Sequence, residues 1–460
     1  MFRSIVNTFS NCFKIPELKS RIIFTVVVLA ICRLTAYIHI PGLDAATLNK
    51  AFDDAQRSGN GGPLGLLSAF SGGAIQNCAI GALTIIPYIS ATIIIQLLTA
   101  VVPQLSKMAR EEGGRAKIVQ YGRYLTVLLC LGQGLFTAIG YEHPSAVLGV
   151  PIDRLILYPD SWIWWYRIQT TIVLTTGTML LMWLGEQITD RGIGNGVSLI
   201  ITINILSRLP QAVVGVRDMF FGGGAEARAN YGQAILLVGL LAFVIAGIIA
   251  VTQAERKIPV TYAQRAVGRK VYAGGTNFMP LRVNYAGVMP VIFAQSILLF
   301  PQKAAMMIGK GLNIKFFSDI AQYLNEGGFL YISLYSLLIL FFSYFWVATQ
   351  FNELQISDDL KKNGGYIPGV RPGQATSNYL HNTMSRITLA GAIFLVIISV
   401  IPIILAHIMH IPWTVSQFFG GTSMLIAVGV MLDTMRQMES HLLMRHYDGF
   451  MKKGRLKGRF

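Results

Sequence analysis

Charge is scarce in this chain. Asp, Glu, Lys and Arg together supply 13% of its 460 residues, about half the share usual in soluble domains. What charge there is leans one way: 38 Lys and Arg stand against 22 Asp and Glu, a formal net of +16. Cysteine is rarer still. Cys12, Cys32, Cys78 and Cys130 form no Cys-x-x-Cys pair and no Cys/His spacing, which excludes a disulfide framework and a zinc site. They read as small buried apolar residues. The phosphate-binding pattern Gly-x-x-x-x-Gly-Lys-Ser/Thr is missing, so no nucleotide hydrolysis of that type is expected.

What fills the chain instead is apolar sequence: 53% of the residues are hydrophobic, and the mean hydropathy is +0.53. They arrive in ten long blocks, at about 22–39, 79–102, 121–140, 163–185, 194–214, 233–252, 284–300, 329–349, 386–409 and 418–436. A bilayer core of about 30 Å needs roughly 20 apolar residues in helix. Continuous blocks of that length favour helices over the alternating, roughly ten-residue strands of a membrane barrel. The expected fold is an all-α membrane protein with ten transmembrane helices. The first block begins after Arg21 and has no small-residue cleavage site before Pro41-Gly42, so it is expected to stay as the first span.

Ten spans return the chain to the side from which it starts. Counted by side, 26 of the 38 Lys and Arg fall on the side of the termini and 9 on the other, with Arg33, Arg123 and Arg167 in or at spans. Acidic residues split 12 against 10. The bias lies in Lys and Arg, as the positive-inside rule requires, and predicts cytoplasmic termini. It also gives the positive charge a reason other than nucleic acid. Two loops on that side are long, at about 253–283 and 350–385. They carry Glu255-Arg256-Lys257-Ile258-Pro259-Val260 and Val370-Arg371-Pro372-Gly373. Basic loops of this length suit docking of a large anionic partner, such as a ribosome or the acidic face of a motor. Solvated loops that only set topology are the plainer alternative.

The second block of each five is unusual. Pro87 is expected to interrupt one, while the other is short and carries Pro290 and Pro301. Interruptions at matching places in two halves point to the working site of a transporter-like fold. Ahead of the first lies Leu64–Gln76, apolar but too short to cross. It reads as a short half-inserted helix joined flexibly through Gly72-Gly73, able to cork a pore; a surface-lying segment is the competitor. The spans hold few ionisable groups, and aliphatic pairs four apart, Ile85/Ile89 and Val197/Ile201, share a helical face. By spacing alone such pairs are packing or lipid-facing residues.

Longer strings carry more. Ile86-Pro87-Tyr88-Ile89-Ser90-Ala91-Thr92-Ile93-Ile94-Ile95-Gln96-Leu97-Leu98-Thr99 and Gly185-Glu186-Gln187-Ile188-Thr189-Asp190-Arg191-Gly192-Ile193-Gly194-Asn195-Gly196 resemble two signatures of the SecY family. Phe70-Ser71-Gly72-Gly73-Ala74, Gln120-Tyr121-Gly122-Arg123-Tyr124, Pro368-Gly369-Val370-Arg371-Pro372-Gly373 and Phe419-Gly420-Gly421-Thr422-Ser423 match it in order along essentially the whole chain.

The resemblance implies two pseudo-symmetric, inverted five-helix halves closing like a clamshell around a central pore. The N-terminal half would be 1–215, the C-terminal half 216–440, and 441–460 a basic cytoplasmic tail. It implies a pore ring of Ile85, Ile89, Val197, Ile201, Ile292 and Ile426, where valine at 197 leaves the ring slightly wider. Branched aliphatics of this kind close around an extended peptide, offer it no hydrogen bonds, and exclude ions by dewetting when empty. It implies a short plug helix at about 64–76, with Leu66, Leu67, Phe70, Ser71, Gly72 and Gly73. It also implies a lateral gate where Thr92, Gln96, Gln295 and Ser296 either hydrate a seam or pack it through interhelical hydrogen bonds. Arg256, Lys257, Arg269, Lys270 and Arg371 would dock partners. Implied partners are SecE, SecG, the SecA motor ATPase, the ribosome, signal sequences and secretory polypeptides, in a bacterial inner membrane. No cofactor, metal or catalytic residue is implied. The stretch Asn352-Glu353-Leu354-Gln355 and the outer loop Lys303–Phe329 depart from the family pattern.

Two rivals fit parts of the pattern. A secondary transporter of a small solute also uses inverted repeats, but needs a midplane carboxylate or ion site that the blocks do not show. An intramembrane enzyme would need more than His407 and His410, three apart with no acidic or cysteine partner nearby. Glu186 and Asp190 share a helical face at a loop mouth and read as structural.

Overall fold

The computed structural model describes residues 15–57, 71–111, 113–142, 144, 152, 155–221, 231–262, 265–267, 270–272, 275–311, 316, 319–320, 323–324, 328–408 and 422–453. Helix dominates, and every one of the ten apolar blocks lies over a helix. In chain order the described helices are α1 (Pro16–Leu34), α2 (Ala45–Arg57), α3 (Ile86–Val101), α4 (Pro103–Arg110), α5 (Gly114–Glu142), α6 (Ile163–Arg191), α7 (Gly196–Leu206), α8 (Leu209–Phe221) and α9 (Tyr231–Gln253). After an intervening sheet come α10 (Met289–Gly311), α11 (Phe329–Gln350), α12 (Glu353–Lys362), α13 (Gln374–Ile408) and α14 (Thr422–Lys453). Among the described residues, five stretches are long and apolar enough to cross a bilayer: Ala116–Glu142, Ile163–Arg191, Gly196–Arg217, Phe329–Lys362 and Gln374–Ile404. A sixth is a broken pair, Ile86–Val101 with Pro103–Ala109, bent by 104°. Val238–Gln253 and Met289–Leu298 are shorter apolar helices.

The long loop after α9 holds structure that its basic composition concealed. Strand β1 (Glu255–Tyr262) pairs antiparallel with β4 (Thr276–Arg282), from Glu255 opposite Arg282 to Thr261 opposite Thr276. Its far edge takes β5 (Gly365–Tyr366) from the second long loop. Strands β2 (Arg265–Val267) and β3 (Lys270–Tyr272) make a separate ribbon. Along β1, Ile258 and Val260 are buried while Arg256, Lys257 and Pro259 are exposed, the period-2 pattern of a sheet with one wet face. Pro259 fits because β5 pairs only Thr261 and Tyr262, leaving Pro259 an open edge that needs no donor.

Packing separates into clusters. The largest gathers buried residues of α1, α3, α6, α7, α9, α10, α11, α13 and α14. Another surrounds the segment before α3, from Ile40 and Leu48 to Tyr141, Tyr166 and Leu174. A third seats the sheet on α11 and α13 through Ile258, Val260, Leu281, Val347, Leu380 and Met384. Helices in lipid gain no hydrophobic drive from meeting, so close approach through small residues matters. At Gly177 an added Cβ would lie 2.1 Å from the Ile80 carbonyl oxygen, and at Gly429 one would lie 2.2 Å from Val288 Cγ1.

Candidate functional site

Pro87 and Pro290 do not interrupt helices; they begin them. The helix α3 opens Ile86-Pro87 and α10 opens Met289-Pro290. Proline suits the first turn of a helix, where its missing N–H has no partner to lose and its φ is already helical. The residues ahead of each are irregular. Thr84 takes φ +57° and its Oγ1 accepts from the Ile86 N–H at 3.2 Å. Gly287 takes φ +62° and its carbonyl accepts from Asn284 Nδ2 at 2.9 Å. Both helices therefore start well inside the chain's packed region, and α3 lies against α10.

Beside these starts four of the six ring candidates meet. Ile85, Ile89, Ile201, Ile292 and Ile426 are each at most 5% exposed, Val197 is partly buried, and all six belong to one apolar cluster. Four of them, Ile89, Val197, Ile201 and Ile292, line a cavity of ≈ 170 Å³. Its wall also includes the polar residues Tyr88, Thr92, Gln96, Asn195 and Ser198 and the apolar residues Met289, Phe293 and Trp346. Ile85 and Ile426 stand in the cluster without lining the cavity.

The gate candidates divide. Thr92 and Gln96 face this cavity; Gln295 is buried, and it and Ser296 do not line it. Thr92 Oγ1 donates to the Tyr88 carbonyl at 2.8 Å and Ser296 Oγ to the Ile292 carbonyl at 2.8 Å. Both bonds stay within a helix, so neither hydroxyl ties the seam. Gln96 Oε1 is buried with no hydrogen-bond partner among the described residues.

Of the plug candidates, Leu66, Leu67 and Phe70 lie outside the described residues. Ser71, Gly72 and Gly73 are buried. The two glycines take φ +57° and +92°, yet the join is held rather than loose. Arg33 Nη2 donates to the Gly72 carbonyl at 2.7 Å. Arg208 Nη2 donates to Gln76 Oε1 at 2.9 Å. Tyr141 Oη donates to the Ile75 carbonyl at 3.3 Å, and Asn77 Nδ2 to the Ala36 carbonyl at 3.0 Å. Among the docking candidates, Arg256 and Lys257 are exposed on β1 and Arg371 is exposed in the turn after β5. Lys270 begins β3, and Arg269 lies outside the described residues.

Comparison with known proteins decides the family. The SecY family model matches residues 79–435. The chain belongs to the SecY family. A protein translocase subunit SecY of Chlamydia trachomatis is 41% identical over 464 residues, covering 98% of this chain and 99% of the relative. A solved SecY channel, described as one whose plug domain stabilises the closed state and maintains a membrane seal, is similar in fold with TM-score 0.58 at 17% identity. It is matched over 93% of this chain and 96% of its own. Sec61 from a canine ribosome-channel complex gives TM-score 0.55 at 17% identity over the same shares. Membership of this family, with several span-length apolar helices, makes the chain a membrane transport protein and not an enzyme.

The family string at 185–196 forms a junction between distant elements. Thr189 Oγ1 accepts from the Gly196 N–H at 2.9 Å, Thr25 Oγ1 of α1 accepts from the Ile193 N–H at 3.1 Å, and Asn195 caps α7. Glu186, which the sequence suggested was structural, holds Arg123 through two bonds of 3.0 and 2.8 Å. Sequence reasoning missed this pairing, the Arg167–Glu142 ion pair at 2.8 Å, and the reach of Arg33 to Gly72. The arginines were visible at block ends; their partners, 63, 25 and 39 positions away, carried no local signal.

Proposed function

We propose that this chain is the pore-forming subunit of a protein-conducting channel, through which unfolded secretory polypeptides cross and from which apolar segments leave sideways into lipid. One observation carries the reading. Aliphatic residues from α3, α7 and α10 line one cavity, and all six ring candidates share its apolar cluster. Such a collar fits an extended chain of any sequence, because it supplies no hydrogen bond to be matched and no charge to be neutralised.

The finer reading follows the sequence. Ten spans form two inverted halves, 1–215 and 216–440, followed by a basic tail, 441–460. The paired proline starts of α3 and α10 support the inverted relation. Ile85, Ile89, Val197, Ile201, Ile292 and Ile426 form the ring, and the segment at about 64–76 is the plug. Thr92, Gln96, Gln295 and Ser296 mark the gate between α3 and α10, with the unpartnered Gln96 Oε1 ready to accept from water or from a chain in transit. Arg256, Lys257, Arg269, Lys270 and Arg371 present positive charge to a ribosome or to the SecA motor; the canine relative's ribosome-channel complex supports the first. SecE and SecG are the constant partners. The bilayer is a bacterial inner membrane, with both termini cytoplasmic.

The test is covalent capture. A photoreactive group at Ile89 or Ile292 is expected to label a secretory chain stalled in transit. Labelling by lipid alone would remove the pore from that place. The rival, a small-solute transporter, separates in liposomes: it predicts solute uptake with no precursor transport, and the channel reading predicts the reverse.

A further inference from the structure

We infer that the exposed face of α6 lies against lipid, and that the tryptophans at its two ends set the thickness of bilayer this chain matches, at about 27 Å. The inference needs the chain in a membrane; it does not rest on the channel reading.

Residues 165 to 183 carry it. The exposed positions in that stretch of α6 are Trp165, Ile168, Ile172, Thr176, Leu180 and Trp183. Steps of three and four residues keep them on one stripe. From 165 to 183 the helix completes about five turns, so the two tryptophans point the same way, about 27 Å apart at 1.5 Å per residue. A bilayer's hydrocarbon core is of that order, about 30 Å. Tryptophan favours the two interfaces, where its ring stays apolar and its N–H reaches headgroups or water. Here the two are 57% and 54% exposed, with three aliphatic side chains and one threonine between them. The Thr176 hydroxyl donates to the Ile172 carbonyl at 2.8 Å, so the stripe shows lipid no unmet hydroxyl donor.

Protein is the alternative cover, and the stripe is ill made for it. Helices in lipid meet closely through small residues. The glycines of α6 lie on other faces: a Cβ added at Gly177 would stand 2.1 Å from the Ile80 carbonyl oxygen, and one at Gly185 would stand 3.3 Å from Ile200 Cδ1. The stripe itself has no glycine, alanine or serine.

Charge marks the same two levels. Arg167 Nη2 meets Glu142 Oε2, and Arg123 Nη2 meets Glu186 Oε2, each at 2.8 Å. These pairs tie α5 to α6. They lie equally far apart on both helices, from 123 to 142 and from 167 to 186, about 28 Å along the axis. Each stands one turn beyond an exposed tryptophan, Arg167 beyond Trp164 and Glu186 beyond Trp183. The Arg167 guanidinium rests over the Trp164 ring, 5.1 Å from its centre. Ionised groups avoid the bilayer centre. The ion pairs and the tryptophans thus bracket one apolar slab from separate observations, and the pairs oppose any sliding of α5 along α6 to fit another.

The experiment uses the full chain with its co-purifying subunits, reconstituted into phosphatidylcholine vesicles. Brominated lipids read depth, with bromine on the acyl chain either near the headgroup or near the chain end. The emission that disappears in Trp165→Phe, and that which disappears in Trp183→Phe, is expected to be quenched about twofold more by bromine near the headgroup. Vesicles of short, medium and long acyl chains, with hydrocarbon about 20, 27 and 34 Å thick, read the match. The melting midpoint should be highest in the medium set and roughly 2–4 °C lower in the other two. Trp165→Ala with Trp183→Ala is expected to flatten that dependence. Stronger quenching at the chain end, quenching by aqueous acrylamide alone, or quenching by neither lipid, the mark of a protein cover, each overturns the inference. So does a midpoint indifferent to thickness, or a dependence unchanged in the double variant.

Discussion

Gly194 donates its backbone N–H to Oε1 of Gln437 at 2.9 Å, a bond between residues 243 positions apart. One residue earlier, the Ile193 N–H is held by Thr25, so the short turn between α6 and α7 is fastened to the first and last helices at once. Gly194 has φ +89°, and a Cβ there would lie 2.9 Å from Leu199 Cδ1 and 3.1 Å from Thr434 Oγ1. Gln437→Ala is expected to cost about 1 kcal/mol, one hydrogen bond. Gly194→Ala is expected to cost about 1–3 kcal/mol, because it adds backbone strain to a clash. Melting in detergent reads the ranking; equal midpoints for the two variants would refute it.

The collar is expected to fail as a seal when it is made wet. Ile201 and Ile292 are 5% and 3% exposed and line the cavity. On the proposed ring, Ile201→Asn or Ile292→Asn places an amide in the collar, so resting ion conductance should rise by roughly an order of magnitude. Ile201→Leu, which keeps the surface apolar, should change it little. Bilayer conductance distinguishes the two, and an equal rise in both would point to packing rather than polarity.

Asp44 offers a pH-dependent handle. It caps α2, accepting from the N–H groups of Ala46 and Thr47 at 3.1 and 3.2 Å and from Thr47 Oγ1 at 2.5 Å. The Thr47 hydroxyl and N–H, with smaller help from Ala46 and Lys50, hold its carboxyl below the usual 3.8. A lowered folded pKa means that the cap's contribution is complete above the unfolded value and is lost as pH falls through the folded one. Exchange protection of the Thr47 amide should therefore persist below pH ~4 and disappear further down. Asp44→Asn should abolish that pH dependence while retaining part of the protection.

The exposed cations of the sheet and turn should matter to partners, not to folding. Arg256→Glu with Lys257→Glu, or Arg371→Glu, is expected to move the melting midpoint little, as exposed charges do. Each is expected to weaken ribosome binding in low salt by roughly tenfold or more, with the difference shrinking as salt rises. Sedimentation with ribosomes across a salt series measures it; a loss that salt does not alter would argue for a shape effect.

Helices were legible in the sequence because lipid-length apolar runs admit one economical backbone solution, and each block does lie over one. Boundaries were less so. Residues 79–85 are as apolar as α3 itself, and only Thr84, at φ +57°, and Pro87 at the first turn mark where the helix starts. The sheet was hidden because Arg256 and Lys257 lead the alternation of Ile258 and Val260, and Pro259 argues against a strand unless one edge is open. The proposed aliphatic ring rests on long signature strings, since a branched residue at helical spacing looks the same facing lipid, core or pore. The grip on Gly72 was unreadable: nothing near Arg33 in sequence names a carbonyl 39 positions on.

The break at Val102 gives the helix bearing Thr92 and Gln96 the form of a crank. Its short arm, Pro103–Arg110, stands at 104° to the long one and is about 12 Å long at 1.5 Å per residue. A straight rod that rolls about its axis moves nothing at its tip. A bent one sweeps, and a roll of about 10° would carry this tip ~2 Å across the surface. A fluorophore at the exposed Lys107 would then report each rotation of the helix that carries Thr92 and Gln96.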